Sequence, residues 1–190
     1  MEAREEFIQI YTQNIKREGA AELLEFIKTT DFFTSPASTR FHGNFEGGLL
    51  QHSIKVYKRL VKLVQDENID ISPESVAIIA LLHDICKANT YKIEMRNSKV
   101  NNEWVKVPYY TYNDSLPYGH GEKSVYIVSG FMKLTRDEAM SINWHMGAFD
   151  ARNNNLTSST LAKAFQMYPI AFLTHVADLI SAYLDEEIRQ

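Results

Sequence analysis

Helical spacing of apolar residues dominates the pattern of the chain. Apolar side chains recur every three or four positions from the start, beginning with Phe7, Tyr11 and Ile15. After Gly47-Gly48 a long amphipathic stretch begins, and it carries His52 on its apolar stripe. This spacing predicts a chain that is built almost entirely of α-helices.

Residues that favour helix starts predict where several of the helices begin. Ser72-Pro73-Glu74 combines an N-cap residue, a proline for the first turn and an early acid. The helix that follows is predicted to run through SVAIIALLHDICKA, and because this stretch is apolar nearly all round we expect it at the centre of the fold. Thr135 and Glu138 have the spacing of a capping box, and Pro169 is expected to open the last helix.

One segment departs from the helical pattern. Between Tyr91 and Tyr112, β-branched and aromatic residues alternate with polar ones around a polar Asn-Ser-Lys stretch, which favours a small β-hairpin or an irregular flap. We therefore predict a compact all-α fold with a β-hairpin insertion at about residues 91–112. A single domain is predicted over residues 1–190, with N-terminal helices in 1–35 and the core in 36–184.

Composition and charge narrow the classes of function. The 190 residues are 45% hydrophobic and 23% charged, as in ordinary globular proteins. The net charge of -4 argues against broad binding of duplex nucleic acid or of an anionic membrane. Any substrate that carries phosphate must therefore be held by local contacts.

The sequence favours a cytoplasmic protein without a membrane segment. The N-terminus lacks the apolar core of a signal peptide, and the strongly apolar run Val76–Leu82 is far shorter than the roughly 20 residues that span a bilayer. The single cysteine, Cys86, cannot form an internal disulfide, which suits a reducing compartment. Because it lies in an apolar stretch, its thiol has little reason to ionise, and we do not expect it to be a nucleophile.

Histidine and aspartate residues inside apolar helical stretches are the main chemical signal. They are His52, the adjacent His83-Asp84, His145, and His175 with Asp178. A buried aspartate is costly unless it is paired or binds a cation. Imidazole and carboxylate groups together suit Mn, Fe, Co, Ni or Zn better than Mg. Neighbouring helix residues point about 100° apart, so His83 and Asp84 either reach one ion at a helix end or serve two ions that the carboxylate bridges.

Five segments carry a resemblance to a known superfamily: FHGNFEGGLLQHS, LLHDICKA, YGHGEKS, NWH and HVADLISA. Over about residues 36–184 the chain resembles the HD-domain superfamily of metal-dependent phosphohydrolases. It is most similar to bacterial and phage members and to the HD domain of 3′-to-5′ exoribonucleases. The chain departs from the common pattern at Cys86, where many members have glycine before the lysine.

The resemblance implies a set of metal ligands. In that superfamily a first histidine, a His-Asp pair and a distal aspartate hold one ion, and the matching residues here are His52, His83, Asp84 and Asp178. Members with a second ion add two histidines between the pair and the last aspartate, at the places of His120 and His145. The resemblance therefore implies one or two divalent transition-metal ions (Mn, Fe, Ni, Co or Zn, with Mg less favoured) and a bridging role for Asp84.

The function implied by the resemblance is hydrolysis of a phosphoester by metal-activated hydroxide. Asp84 is expected to act with Lys87, which lies one helical turn further on and could place its ammonium group near the phosphate; a solvated lysine at a helix end is the alternative. The expected substrate is a nucleotide or a short oligonucleotide, with monoester and diester cleavage both open. The rival functions are an HD-type di-iron oxygenase and a non-catalytic nucleotide sensor.

A few other residues are candidates for contact with the substrate. Aromatic residues of the predicted hairpin, among them Trp104 and Tyr110, could stack on a nucleobase, although packing of the hairpin on the core explains them as well. Arg40 supplies positive charge, and His42 precedes the Gly-Gly turn. His175 shares a helix face with the last proposed ligand, and it either supports that ligand or lines the pocket. The sequence carries no signal of oligomeric state.

Overall fold

The computed structural model describes residues 2–150 and 158–185 of the chain. These residues form eight α-helices and one two-stranded antiparallel sheet. The elements in chain order are α1 (Ala3–Asn14), α2 (Ala20–Thr29), α3 (Gly48–Asp66), α4 (Pro73–Leu82), β1 (Tyr91–Val100), β2 (Glu103–Tyr112), α5 (His120–Ser129), α6 (Arg136–Trp144), α7 (Ser158–Met167) and α8 (Pro169–Ile180). The predicted all-α fold with a β-hairpin insertion is confirmed.

Hydrogen bonds at the helix ends confirm the predicted starts. The hydroxyl of Ser72 accepts a bond of 3.0 Å from the backbone N–H of Ser75 at the start of α4. At the start of α6, the Thr135 hydroxyl accepts from the N–H of Glu138, and the Glu138 carboxylate accepts from the N–H of Thr135. Pro169 is the first residue of α8. These caps satisfy N–H groups that have no partner within the helix.

Helix α4 lies at the centre of the fold, as its apolar composition predicts. Every residue from Ser75 to Leu82 is buried. One apolar cluster joins Leu81 to Phe7 of α1. A second cluster joins Ile79 to Leu60 of α3 and to the apolar face of α8. Because α4 is packed on all sides, the residues at its C-terminal end are held in the interior of the protein.

The predicted continuation of α4 through Ala88 is wrong. The helix ends at Leu82, and Asp84 leaves helical geometry with φ -106° and ψ 15° before a short 3₁₀ turn at Ile85–Lys87. The apolar pattern does not reveal this break, because the residues after it are buried as well. The break allows His83 and Asp84 to face the same group of polar side chains, which consecutive residues within a helix do not do.

The hairpin forms where the alternating pattern predicts it. Strands β1 and β2 pair from Tyr91 opposite Tyr112 to Val100 opposite Glu103. The turn lies at Asn101-Asn102, both with positive φ, which asparagine tolerates better than most residues. The polar Asn-Ser-Lys stretch lies within β1, since the chain reverses only after Val100. The hairpin begins at Tyr91 and ends at Tyr112, and it lies between α4 and α5 in the sequence.

No single helix among residues 2–150 and 158–185 is both long and apolar enough to cross a membrane. One pair of consecutive helices in these residues meets the criteria of length and composition when the two are counted together. The pair is Ser159–Met167 and Pro169–Asp185, and the chain bends by 107° between them.

A buried ion pair ties the segment between α1 and α2 to α6, and it gives a test of the packing. The Arg17 guanidinium donates two hydrogen bonds of 2.8 Å to the carboxylate of Glu138, whose side chain is fully buried. The substitution Arg17→Met leaves this carboxylate buried without its cation, so we expect the free energy of unfolding to fall by about 3 kcal/mol. Denaturant titration measures the change. Lys62→Met, which removes an exposed pair with Asp66, is the control, and a similar loss in both variants contradicts this account.

Candidate metal centre

Side chains from five parts of the chain meet beyond the C-terminal end of α4. The group consists of His52 from α3, His83 and Asp84 from the end of α4, His120 from the start of α5, His145 after α6, and Asp178 from α8. All six predicted ligands are therefore neighbours in space. His52, His83, Asp84 and His145 are buried, whereas His120 and Asp178 are partly open to solvent.

Four of these residues form a first set of donor atoms. His52 Nε2 lies 3.2 Å from His83 Nε2, 3.1 Å from Asp178 Oδ1 and 3.6 Å from Asp84 Oδ2. His83 Nε2 lies 3.5 Å from the same Asp84 oxygen. Ligand atoms that bind one transition-metal ion at 2.0–2.2 Å are separated by about 3 to 3.6 Å. The donor atoms of His52, His83 and Asp178 all lie within 4.8 Å of one another, so these three residues can hold a single ion, with Asp84 Oδ2 beside them.

A second set of donor atoms surrounds the other oxygen of Asp84. Oδ1 lies 2.7 Å from His120 Nε2 and 3.4 Å from His145 Nε2. His145 Nε2 is buried and has no hydrogen-bond partner among the described residues, so it needs a cation or a solvent molecule. Because the two oxygens of one carboxylate face different histidines, the arrangement fits a carboxylate that bridges two ions.

Hydrogen bonds at Nδ1 fix the direction in which the histidines can bind a metal. Nδ1 of His83 donates to the carbonyl of Ala80 at 2.8 Å, and Nδ1 of His145 donates to the carbonyl of Ile142 at 2.7 Å. A carbonyl oxygen only accepts hydrogen bonds, so the ring proton is on Nδ1 and the Nε2 lone pair is directed into the centre. His120 differs, because its Nε2 donates to the Asp84 carboxylate at 2.7 Å and its Nδ1 lies 3.4 Å from Cys86 Sγ.

The protonation states of His83 and Asp84 favour a cation. Burial lowers the pKa of His83 to about 3, which keeps its imidazole neutral and its lone pair free. Burial raises the pKa of the Asp84 carboxyl, but the charge of Lys87 and the hydrogen bond from His120 outweigh this effect and hold the pKa well below its usual value. For His120 burial lowers the pKa, whereas the neighbouring Cys86 and Asp84 raise it to about 10. The centre thus draws positive charge towards Asp84.

Comparison with known proteins agrees with this geometry. The family model described as HD domain matches residues 49–183, a range that contains all six residues of the centre. The chain belongs to the HD domain family. A relative, the dihydroneopterin 2',3'-cyclic phosphate phosphodiesterase of Methanocaldococcus jannaschii, is 38% identical over 61 residues. That match covers 30% of this chain and 24% of the archaeal protein, so the chain spans about a quarter of the length of its relative. No solved structure matches the chain significantly.

The metal centre of this HD domain opens into a cavity, which we call the metal cavity. Its volume is about 720 Å³, within the range of roughly 300–1,000 Å³ that is typical of small-molecule sites. Asp84, Lys87, His120 and Asp178 lie in its wall. Aromatic side chains make up much of the remaining wall, and they are Phe41, Tyr91, Tyr110, Tyr112, Phe149 and Tyr183. The cavity can therefore bind a flat apolar group close to the centre.

The other predicted site residues divide between the metal cavity and its surroundings. His42, Tyr110 and His175 line the metal cavity. Arg40 lines a neighbouring cavity instead. Trp104 is 74% exposed and lies near the outer end of the hairpin, opposite Lys99, and it lines neither cavity.

His175 has a second contact that explains its position. Its Nδ1 donates to the carbonyl of His145 at 2.7 Å, so it links α8 to the backbone that carries a proposed ligand. A Cβ at Gly147 would lie only 2.5 Å from the His175 ring, which leaves room for glycine alone. His175 both lines the metal cavity and holds the end of α6 in place.

Lys87 is not a solvated residue at a helix end. Its side chain is only 12% exposed, and Nζ lies 2.6 Å from Asp84 Oδ2. The ammonium group also lies in the wall of the metal cavity. It therefore neutralises part of the buried charge of Asp84 and can reach a bound ligand.

Several residues of the site carry no signal in the sequence pattern. Phe41, Phe149 and Tyr183 line the metal cavity, but each lies in a loop or at a helix end, where apolar periodicity does not apply. The sequence pattern also does not show that Cys86 contacts His120, because the two residues are distant in sequence.

The contact between Cys86 and His120 gives a test of how the centre is supported. Cys86→Ala removes the sulfur next to Nδ1, so we expect the affinity for Zn²⁺ or Mn²⁺ to fall by about tenfold, the usual effect of losing a hydrogen bond to a ligand histidine. Cys86→Ser keeps a hydrogen-bonding atom, and its affinity should stay close to that of the wild type. Calorimetric metal titration measures both. An unchanged affinity in the alanine variant, or an equal loss in the serine variant, contradicts this role.

Proposed function

We propose that this HD domain is a metal-dependent phosphohydrolase that cleaves a phosphoester of a small substrate. The observation that carries the proposal is the position of Asp84. Its two carboxylate oxygens lie between two sets of imidazole and carboxylate donors, in the wall of an open cavity. When bound, two divalent ions at such a site activate water and neutralise the charge that develops on a phosphoryl group.

The ligands are assigned by the two sets of donor atoms. His52, His83, Asp84 and Asp178 are proposed to hold the first ion, and Asp84, His120 and His145 the second. The neutral imidazole of His83 and the Nδ1 hydrogen bonds of His83 and His145 support this assignment, because they leave Nε2 free to bind. A donor set with so many ring nitrogens favours Mn, Fe, Co, Ni or Zn over Mg.

Lys87 is proposed to contact the phosphoryl group. Its ammonium lies beside Asp84 and in the wall of the metal cavity, so a phosphate next to the bridging carboxylate comes within its reach. The side chain is mostly buried, and its charge is therefore weakly screened by water. Lys87 donates to a phosphoryl oxygen and holds the group against the centre.

The wall of the metal cavity supports a nucleotide or a short oligonucleotide as the substrate. Tyr91, Tyr110 and Phe149 offer aromatic faces on which a base can stack. The archaeal relative is named for action on a cyclic phosphodiester of a pterin, which is also a phosphorylated compound with a flat heteroaromatic ring. Its name favours a phosphodiester over a phosphomonoester as the bond that is cleaved.

Hydrolysis of nitrophenyl phosphates tests the proposed function. We expect purified protein to release nitrophenol from the bis-ester, and less from the mono-ester, only when Mn²⁺, Ni²⁺ or a similar ion is present. Asp84→Asn removes the negative charge that bridges the two donor sets and should lower the rate to background. Asp66→Asn, at an exposed position on α3, is the control and should leave the rate unchanged.

The negative outcomes separate the rival functions. An absence of turnover with every metal contradicts the proposal. Oxygen consumption by the Fe²⁺-loaded protein then indicates a di-iron oxygenase. Thermal stabilisation by nucleotides without any turnover indicates a nucleotide sensor.

The role of Lys87 gives a separate prediction. Lys87→Gln removes the charge next to the phosphoryl group, so we expect kcat to fall by about a hundredfold, the usual cost of losing one donor to a developing oxyanion. The number of metal ions bound, measured by elemental analysis, should not change. If the variant loses metal as well, Lys87 supports the ligands rather than the substrate.

A further inference from the structure

A second cavity adjoins the metal cavity on the side of the hairpin. Its volume is about 760 Å³. Thr39 and Tyr110 line both cavities, so these two residues form a shared wall. The two cavities are therefore direct neighbours.

The second cavity is positively charged. Arg40 and Arg96 lie in its wall, and no acidic residue does. Within the described part of the chain, neither arginine forms an ion pair with a carboxylate. In a protein with a net charge of -4, two unpaired arginines beside one cavity form a local site for an anion. We call this space the arginine cavity.

The other lining residues suit the binding of phosphate. The Arg96 guanidinium lies over the Tyr109 ring, 5.1 Å from its centroid, and this contact restrains the side chain. Asn44 adds an amide that can donate to an oxygen. Arginine binds phosphate with two parallel N–H groups, which gives both affinity and orientation.

The two cavities differ in the positive charge that they offer. In the metal cavity the one ammonium group, that of Lys87, is already 2.6 Å from Asp84. In the arginine cavity neither guanidinium group pairs with a carboxylate of residues 2–150 or 158–185. A substrate with one phosphoryl group at the metal centre and another beyond Tyr110 would use both sites.

We propose that the arginine cavity binds a second phosphoryl group of the substrate, so that this HD domain acts on nucleotides with two phosphoryl groups at opposite ends. A nucleoside 3′,5′-bisphosphate and a 5′-phosphorylated dinucleotide both have this chemistry. The ribose joins the two phosphoryl groups, and the base that projects from it stacks on Tyr110. This inference rests on the proposed function, because it takes the metal centre as the place of the phosphoryl group that is cleaved.

Equilibrium binding tests the site without the need for turnover. Calorimetry on the metal-loaded protein compares adenosine 5′-monophosphate, adenosine 3′,5′-bisphosphate and the 5′-phosphorylated diadenosine dinucleotide, with any hydrolysis followed by chromatography. We expect at least one of the two-phosphoryl ligands to bind about tenfold more tightly than the monophosphate, the gain from one good charged hydrogen-bonded contact. The ligand with the larger gain identifies the substrate class.

Matched charge variants on the same surface assign the effect to the arginines. The double variant Arg40→Ala/Arg96→Ala should lose the preference for two phosphoryl groups and keep its affinity for the monophosphate. Lys99→Ala/Lys106→Ala removes the same charge from the outer part of the hairpin, outside the arginine cavity, and should keep the preference. Equal losses in both variants, or no preference in the wild type, overturn the proposal.

The outcomes also separate this proposal from the proposed function. A preference that depends on the arginines, in a protein that hydrolyses none of the ligands, supports the arginine cavity and contradicts the phosphohydrolase. Hydrolysis that is metal-dependent but unaffected by the arginine variants supports the phosphohydrolase and overturns the arginine cavity.

Discussion

The buried carboxylate of Asp84 is the constraint on which the site depends. An ionised carboxylate in the interior is unstable unless positive charge and hydrogen bonds surround it. Here one oxygen faces His52, His83 and Lys87, and the other faces His120 and His145. These partners lie on or next to α3, α4, α5 and α6, so the compensation of this one carboxylate requires the four helices to meet at one point.

The helical packing supplies that point of convergence. Helix α4 is buried from Ser75 to its early end at Leu82, and this end places His83 and Asp84 where α3, α6 and α8 meet. Backbone carbonyls of α4 and α6 then fix the rings of His83 and His145 through Nδ1. The metal centre is thus built on rigid helices whose own hydrogen bonds orient the ligands, which suits the exact geometry that metal binding requires.

The surroundings of the centre are built from less regular parts of the chain. The loop before α3, the base of the hairpin and the end of α8 supply the aromatic and basic walls, including Phe41, Tyr110 and Tyr183. Loops and hairpins accept changes of sequence more readily than a packed core does. Under the proposed function, this division assigns the chemistry to the helices and the choice of substrate to the loop and the hairpin.

The sequence alone determined the helical class, the hairpin insertion, the family and the six candidate ligands. The helical class and the insertion follow from local signals, namely apolar spacing and caps such as Thr135 with Glu138. The family and the ligands follow from a resemblance that rests on the order of His52, His83-Asp84 and Asp178 along the chain. Only the tertiary structure decided that α4 stops at Leu82, that Cys86 contacts His120, and that Trp104 lies away from both cavities while Phe41 and Tyr183 line one. These features depend on contacts between residues far apart in sequence, and local periodicity contains no information about such contacts.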